Sequence, residues 1–248
     1  MSEKPTIVIF SGAFHQASCM DIFIKHLRAA GFPAEAHALK TVGNASAGID
    51  DDVAYMKSVL KPHFDAGKDV VFIPHSFAGF PTTVAISGLD KRSREANGKK
   101  GGVLGVIYMA AFIPTVDETL YQAIHGWQSW HIPKDDEGLL YTCDHVETFY
   151  ADCDPAIAEE MISTLQPHSL KALNTTVDVL GWKEYEGRRG YIRCLQDQAI
   201  PLVGQDLLLR RSGVWDIKTM DASHSPFLSQ PEQLTKNVED IIAAFEKS

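Results

Sequence analysis

A chain of 248 residues with a formal net charge of -9 is long enough for one domain with a sizeable core. It carries no basic stripe, so a nucleic-acid partner is not expected. Neither a metal nor a cofactor is expected either: the four cysteines form no Cys-x-x-Cys pair, and Cys143, His145 and Cys153 fit no standard site.

No apolar run reaches the roughly 18 residues of a membrane span, and no secretory signal pattern is present. The expectation is a cytosolic protein with free thiols and no membrane partner. The basic stretch from Lys91 to Lys100, broken by Glu95, reads as a solvated surface loop.

Thr6 to Phe10 is a short continuous apolar run, as expected of a parallel strand buried on both faces. The turn Ser11-Gly12-Ala13-Phe14-His15 follows. Met20, Phe23, Leu27 and Ala30 then recur at helical spacing up to Gly31. Pro33 to Leu39 alternates as a weak second strand. Asp50, Asp51 and Asp52 mark the N-terminus of a helix that continues through Val53, Met56, Val59 and Leu60, and Pro62 is expected to kink or end it before Phe64. Asp69 to Ile73 is the next strand, followed by a turn at Ser76 and a helix with Val84 and Ile86. Val103 to Met109 is another buried strand.

This alternation predicts a mostly parallel sheet with helices on both faces. From Pro114 to Glu184 no clear buried strand is visible. The segment is rich in Trp, Tyr and Phe, and Asp154-Pro155 opens a helix, so a helical cap insertion is expected. The sheet resumes with Tyr191 to Leu195 and Val214 to Met220. A last helix starts with the capping pattern Ser229-x-x-Glu232 and buries Leu234, Val238, Ile241 and Phe245.

Ser76 lies directly after a buried strand and before a helix, in Pro74-His75-Ser76-Phe77-Ala78-Gly79. A nucleophile on such a turn stands at the carboxyl edge of the sheet, where open α/β sheets bind ligands. Pro74 departs from the small residue expected two positions before it. The bland alternative is that Ser76 only caps the following helix. A serine nucleophile needs a base. Of ten histidines, only His224 falls after the final strand and just before the last helix.

Asp197, beyond the strand ending at Leu195, is the favoured acid, with Asp117 as competitor. Asp221 is close enough to His224 in sequence to order its loop instead, and His75 reads as structural. The order Ser, acid, His is that of a nucleophile-elbow hydrolase. The oxyanion donors expected are the backbone N–H groups of Ala13 and Phe77, with Gly12 leaving space for the carbonyl. Ser11-Gly12 is equally an ordinary strand-to-helix turn. Gly12, Phe14, Trp127 and Trp130 are the substrate-pocket candidates, with Phe149 and Tyr150 as further aromatic wall; they could equally pack the cap onto the core.

At these segments the chain resembles the α/β-hydrolase superfamily. More narrowly, it resembles the branch holding plant methylesterases and hydroxynitrile lyases with related fungal and bacterial hydrolases. The matching segments are Ile7 to Ala13, the Ser76 turn, Tyr108 to Phe112, Tyr191 to Pro201, Ser223-His224 and Pro231-Glu232. The resemblance implies an α/β-hydrolase core over 1–113 and 185–248, with a cap over 114–184. It also implies a Ser76-Asp197-His224 triad and an Ala13/Phe77 oxyanion hole.

Most relatives have His-Gly where this chain has Ser11-Gly12. The lyases have Thr at the position of Gly12 and Lys immediately after the triad His, where this chain has Ser225. The expected activity is hydrolysis of a small to medium hydrophobic ester or lactone, with a small molecule as partner and a homodimer left open. The alternatives are a non-hydrolytic lyase, decarboxylase or cyclising enzyme on the same scaffold, and a small-molecule receptor.

Overall fold

The computed structural model describes residues 4–247; residues 1–3 and 248, at the ends of the expected core, lie outside the described residues. Nine strands are present among them: β1 (Thr6–Phe10), β2 (Ala34–His37), β3 (Asp69–Pro74), β4 (Gly102–Met109), β5 (His131–Lys134), β6 (Leu139–Thr142), β7 (His168–Ser169), β8 (Arg189–Cys194) and β9 (Asp216–Met220).

Six of them form one sheet in the order β2-β1-β3-β4-β8-β9, and every neighbouring pair is parallel. The central strands β1, β3 and β4 are the continuous apolar runs, and Ile7 to Phe10, Val70 to Ile73 and Val106 to Met109 are fully buried. That is the pattern of a sheet covered on both faces. The helix Ile49–Asp65 lies against β3 and the helix Pro231–Phe245 against β4, β8 and β9. From β1 the chain goes outward to β2 and then returns past β1 to β3. The switch in strand order therefore falls between β1 and β3, where a crevice opens at the strands' carboxyl ends.

Four local expectations are corrected. The segment between residues 114 and 184 is not purely helical. Beside the helices His145–Phe149, Pro155–Thr164 and Leu170–Leu173 it holds a small antiparallel sheet, β5-β6-β7. In β5 only His131 is buried, so no apolar run announces the strand. Pro62 does not end its helix, which runs on to Asp65. The proline sits in the last turn, where Ala66 N–H still closes on the Pro62 carbonyl at 3.1 Å, and Leu60 and Phe64 anchor both sides in the core.

Ser229 does not open the last helix. It ends a short helix, Pro226–Ser229, and the long one begins at Pro231 with Gln230 as N-cap. A proline at the first helical position suits that start, since its missing N–H would have been unpaired anyway. Finally, Lys91–Ala96 is a short helix and not a loop. The Asp90 carboxylate caps it by accepting from Ser93 N–H at 2.9 Å, and it also pairs with the buried Arg188 guanidinium. All four cysteines are free. No helix among the described residues is long and apolar enough to cross a membrane.

Candidate active site

β3 ends at Pro74, and its register with β4 stops at Phe72–Val106 before a further bridge at His75–Met109. The N–H that Pro74 lacks falls in that gap. Ser76 follows with φ 54°, in the left-handed region that side-chain-bearing residues seldom occupy. Such a conformation costs about 1–3 kcal/mol and persists only when its surroundings over-determine it. Here Phe112 N–H donates to the Ser76 carbonyl at 3.1 Å, and Ala78 N–H to the His75 carbonyl at 3.0 Å. The residue that must be small is Gly79, where a Cβ would lie 1.9 Å from the Phe112 carbonyl oxygen.

The turn after β1 packs directly on this one. A Cβ on Gly12 would lie 2.6 Å from the Ser76 Cβ, so only glycine lets the two turns meet. Ser11 Oγ donates to the His15 carbonyl at 3.0 Å and Phe14 has φ 70°, which curls the segment around Ala13. Neither Ala13 N–H nor Phe77 N–H donates to another group among the described residues, and both residues line one cavity with Ser76.

His15 braces this turn. Its Nδ1 lies 2.7 Å from the Ala13 carbonyl and its Nε2 2.8 Å from the Tyr150 hydroxyl. A carbonyl only accepts, so Nδ1 carries the proton and Nε2 accepts from Tyr150. Burial lowers the His15 pKa to about 4, against a raising effect of the Ala13 carbonyl, with His224 and His145 as lesser lowering charges. The ring is therefore neutral near pH 7.

Asp197 stands beyond β8 and is 1 % exposed. Its Oδ1 accepts the Ala199 and Ile200 N–H groups, each at 2.8 Å. Its Oδ2 lies 2.8 Å from Nδ1 of His224, in the loop after β9. The carboxylate accepts, so Nδ1–H donates and the neutral ring keeps its lone pair on Nε2. Asp117, the competing acid, is exposed in the insertion and its N–H bonds the Val177 carbonyl. Asp221 accepts from Gln196 Nε2 at 2.8 Å, on the same loop as His224. His75 is buried beside His224, with ring centroids 4.6 Å apart, and its Nε2–H donates to the His224 carbonyl at 3.0 Å. Burial holds the His75 pKa well below its ordinary value, helped by the charges of His224 and His15.

The cavity brings together Ala13, Phe14, Ser76, Phe77, Trp130 and His224 from the sequence-derived set. Phe149 also lines it. Gly12 lies beneath the floor and does not line it. Trp127 stands one layer back, packed on Tyr121 and His131 with centroids 4.9 and 5.4 Å away. Tyr150 stands behind His15.

Sequence reasoning missed His15, Phe112, Leu120, Ile124, His131, Ala199 and Ile200 as lining residues. For Ala199 and Ile200 a signal existed. An Asp followed two and three residues on by free N–H groups forms an Asx turn, which brings them to the acid. Nothing local in the sequence marks His131.

No protein-family model matches the chain. It is 25% identical over 246 residues to the α/β-hydrolase nvfD of Aspergillus novofumigatus, covering 95% of both chains. Among solved structures, a pyrethroid hydrolase from Sphingobium faniae superposes with a TM-score of 0.76 at 20% identity, over 98% of this chain and 99% of that one. A methylesterase from Arabidopsis gives 0.73 at 21%, over 96% and 99%. Sequence likeness and shared fold together identify the chain as an α/β-hydrolase related to the plant methylesterase-type esterases and to fungal and bacterial hydrolases.

Proposed function

We propose that the chain is a serine esterase that cleaves a small to medium hydrophobic carboxylic ester or lactone. The observation that carries this is the buried Asp197–His224 pair at 2.8 Å, beside a serine with φ 54° in the same cavity. Asp197 fixes the His224 tautomer with its lone pair on Nε2, the state a general base needs. His224 takes the Ser76 hydroxyl proton as Oγ attacks the scissile carbonyl. The tetrahedral oxyanion forms where the uncommitted Ala13 and Phe77 N–H groups can donate to it. His224 then protonates the leaving alkoxide, and water repeats the cycle on the acyl-enzyme.

The site offers little to a departing anion. No lysine or arginine lines the cavity among the described residues, and Ser225, not a cation, follows His224. Apart from the imidazolium that His224 becomes during turnover, negative charge is met by N–H dipoles, which suits a transient oxyanion better than a released cyanide. The apolar walls of Phe14, Phe112, Trp130 and Phe149 favour a hydrophobic substrate.

The test is turnover of a panel of 4-nitrophenyl esters and lactones by the wild type and by Ser76→Ala. Ser76→Ala is expected to lose at least about 10³-fold in kcat. Near-normal turnover by that variant would overturn the assignment.

A further inference from the structure

The imidazoles that line the cavity differ in what they leave unspent. Both nitrogens of His15 are engaged, and Nδ1 of His224 is held by Asp197. His131, the first residue of β5, is held from one side only. Gln128 N–H donates to its Nδ1 at 3.0 Å. A peptide N–H can only donate, so Nδ1 presents its lone pair and the proton of the neutral ring sits on Nε2. Burial lowers the pKa of the ring to about 4, so it is neutral near pH 7.

The Nε2–H has no acceptor among the described residues. The ring nitrogens sealed from solvent without a hydrogen bond belong to His37, His75 and His168, and Nε2 of His131 is not among them. It is therefore an accessible donor on a ring that is 8 % exposed overall. The ring cannot easily turn away, because it packs on Trp130 with centroids 3.7 Å apart and planes tilted by 34°, and on Trp127 with centroids 5.4 Å apart.

We infer that His131 Nε2–H is the donor by which this site selects its substrate, an ester or lactone that carries a second, neutral oxygen acceptor besides the scissile carbonyl. A ketone, an ether or a second ester carbonyl would serve. The inference rests on the esterase reading above for the reacting ester, while the donor itself is independent of it. A carboxylate is a poor match. The neutral ring offers it no charge, and the surrounding Phe14, Trp130 and Phe149 would strip its water. A purely apolar chain is also penalised, because it covers the N–H without replacing the water on it. Sites built around such a donor discriminate against analogues that lack the acceptor.

Binding to the Ser76→Ala protein tests this without turnover. Trp130 fluorescence is titrated with methyl hexanoate and with its 3-oxo, 4-oxo and 5-oxo analogues. At least one oxo ester is expected to bind about tenfold or more tightly than methyl hexanoate. Adding His131→Phe, which keeps a ring on Trp130, should bring that ratio to about one, and His131→Gln, which keeps an N–H donor, should restore part of it.

A readout that needs no change at position 131 is the ¹⁵N-edited resonance of His131 Nε2–H. It should shift with the preferred oxo ester and not with methyl hexanoate. No preference among the four esters, a preference that survives His131→Phe, or an unmoved Nε2 resonance would each overturn the inference. Loss of the esterase reading is recognised separately, as ester turnover that does not depend on Ser76.

Discussion

Gly12 and Ser76 belong to different turns, yet a single methyl group on Gly12 would push the two apart. Gly12→Ala would drive a Cβ to 2.6 Å from the Ser76 Cβ and 3.2 Å from His75 Nδ1. Overpacking of this kind costs about 1–3 kcal/mol and moves whichever backbone yields. The expected outcome is a kcat at least about tenfold lower, since a misplacement of about 1 Å is enough for larger losses. Ester kinetics on the purified variant would check it. Asp197→Asn keeps the shape but reverses the bond to Nδ1, because the amide can donate, and it turns His224 to the wrong tautomer. A fall of about 10⁴-fold in kcat, with an unchanged circular dichroism spectrum, is expected.

The placement of the residues singled out by chain order was legible. Ser76, Asp197 and His224 each follow a recognisable strand, and strand ends converge on one sheet edge. The places of His15 and His131 in the cavity were not legible, because they turn on ring orientation and on partners such as Tyr150, 135 residues away from His15.

At the scale of elements, legibility tracked burial. The core strands β1, β3 and β4 are continuous apolar runs, and their positions could be read directly. The β5–β6 hairpin could not, because most of its side chains are exposed or half-buried and it carries no strong alternation. Pro62 was read by its local cost, but the core contacts of Leu60 and Phe64 outweigh one lost bond in a last turn.

Nor could sequence show that Asp90 does two jobs. It caps the helix Lys91–Ala96 and holds Arg188, both at the edge of β4. The pair is nearly inaccessible, at 3 % side-chain exposure on each partner. Asp90→Ala would strand a buried guanidinium, and a loss of about 3–5 kcal/mol is expected. Urea denaturation measures it. A change within about 0.5 kcal/mol, the range of surface substitutions, would mean the pair is not buried as described.

For the molecule as a whole, several buried neutral histidines tie stability to pH. Burial lowers His15 and His131 to about 4 and His168 to about 3, from an ordinary 6.5. Between those values and 6.5 the unfolded chain binds more protons than the folded one. Their contribution is therefore complete above about pH 6.5 and is lost as pH falls toward 4 and 3. Asp52 opposes them. Burial raises it to about 6 despite its bonds from Thr41, so its contribution is lost as pH rises through that value. His75, held well below its ordinary value, adds to them, and four histidines against one carboxylate leave a net loss on acidification. The melting temperature should fall between pH 7 and 4.5, and less steeply in His168→Leu, which removes one of the four groups. A melting temperature that does not vary with pH would contradict this.

The central claim, a serine nucleophile at the end of β3 served by His224, is tested most directly by treating the protein with a 4-nitrophenyl alkylphosphonate. Intact-mass and peptide mass spectrometry then locate the adduct. The expected result is a single phosphonyl group on Ser76, formed with release of 4-nitrophenol, absent in Ser76→Ala and much slower in His224→Ala. An unlabelled protein, or a stable adduct on any other residue, would contradict it.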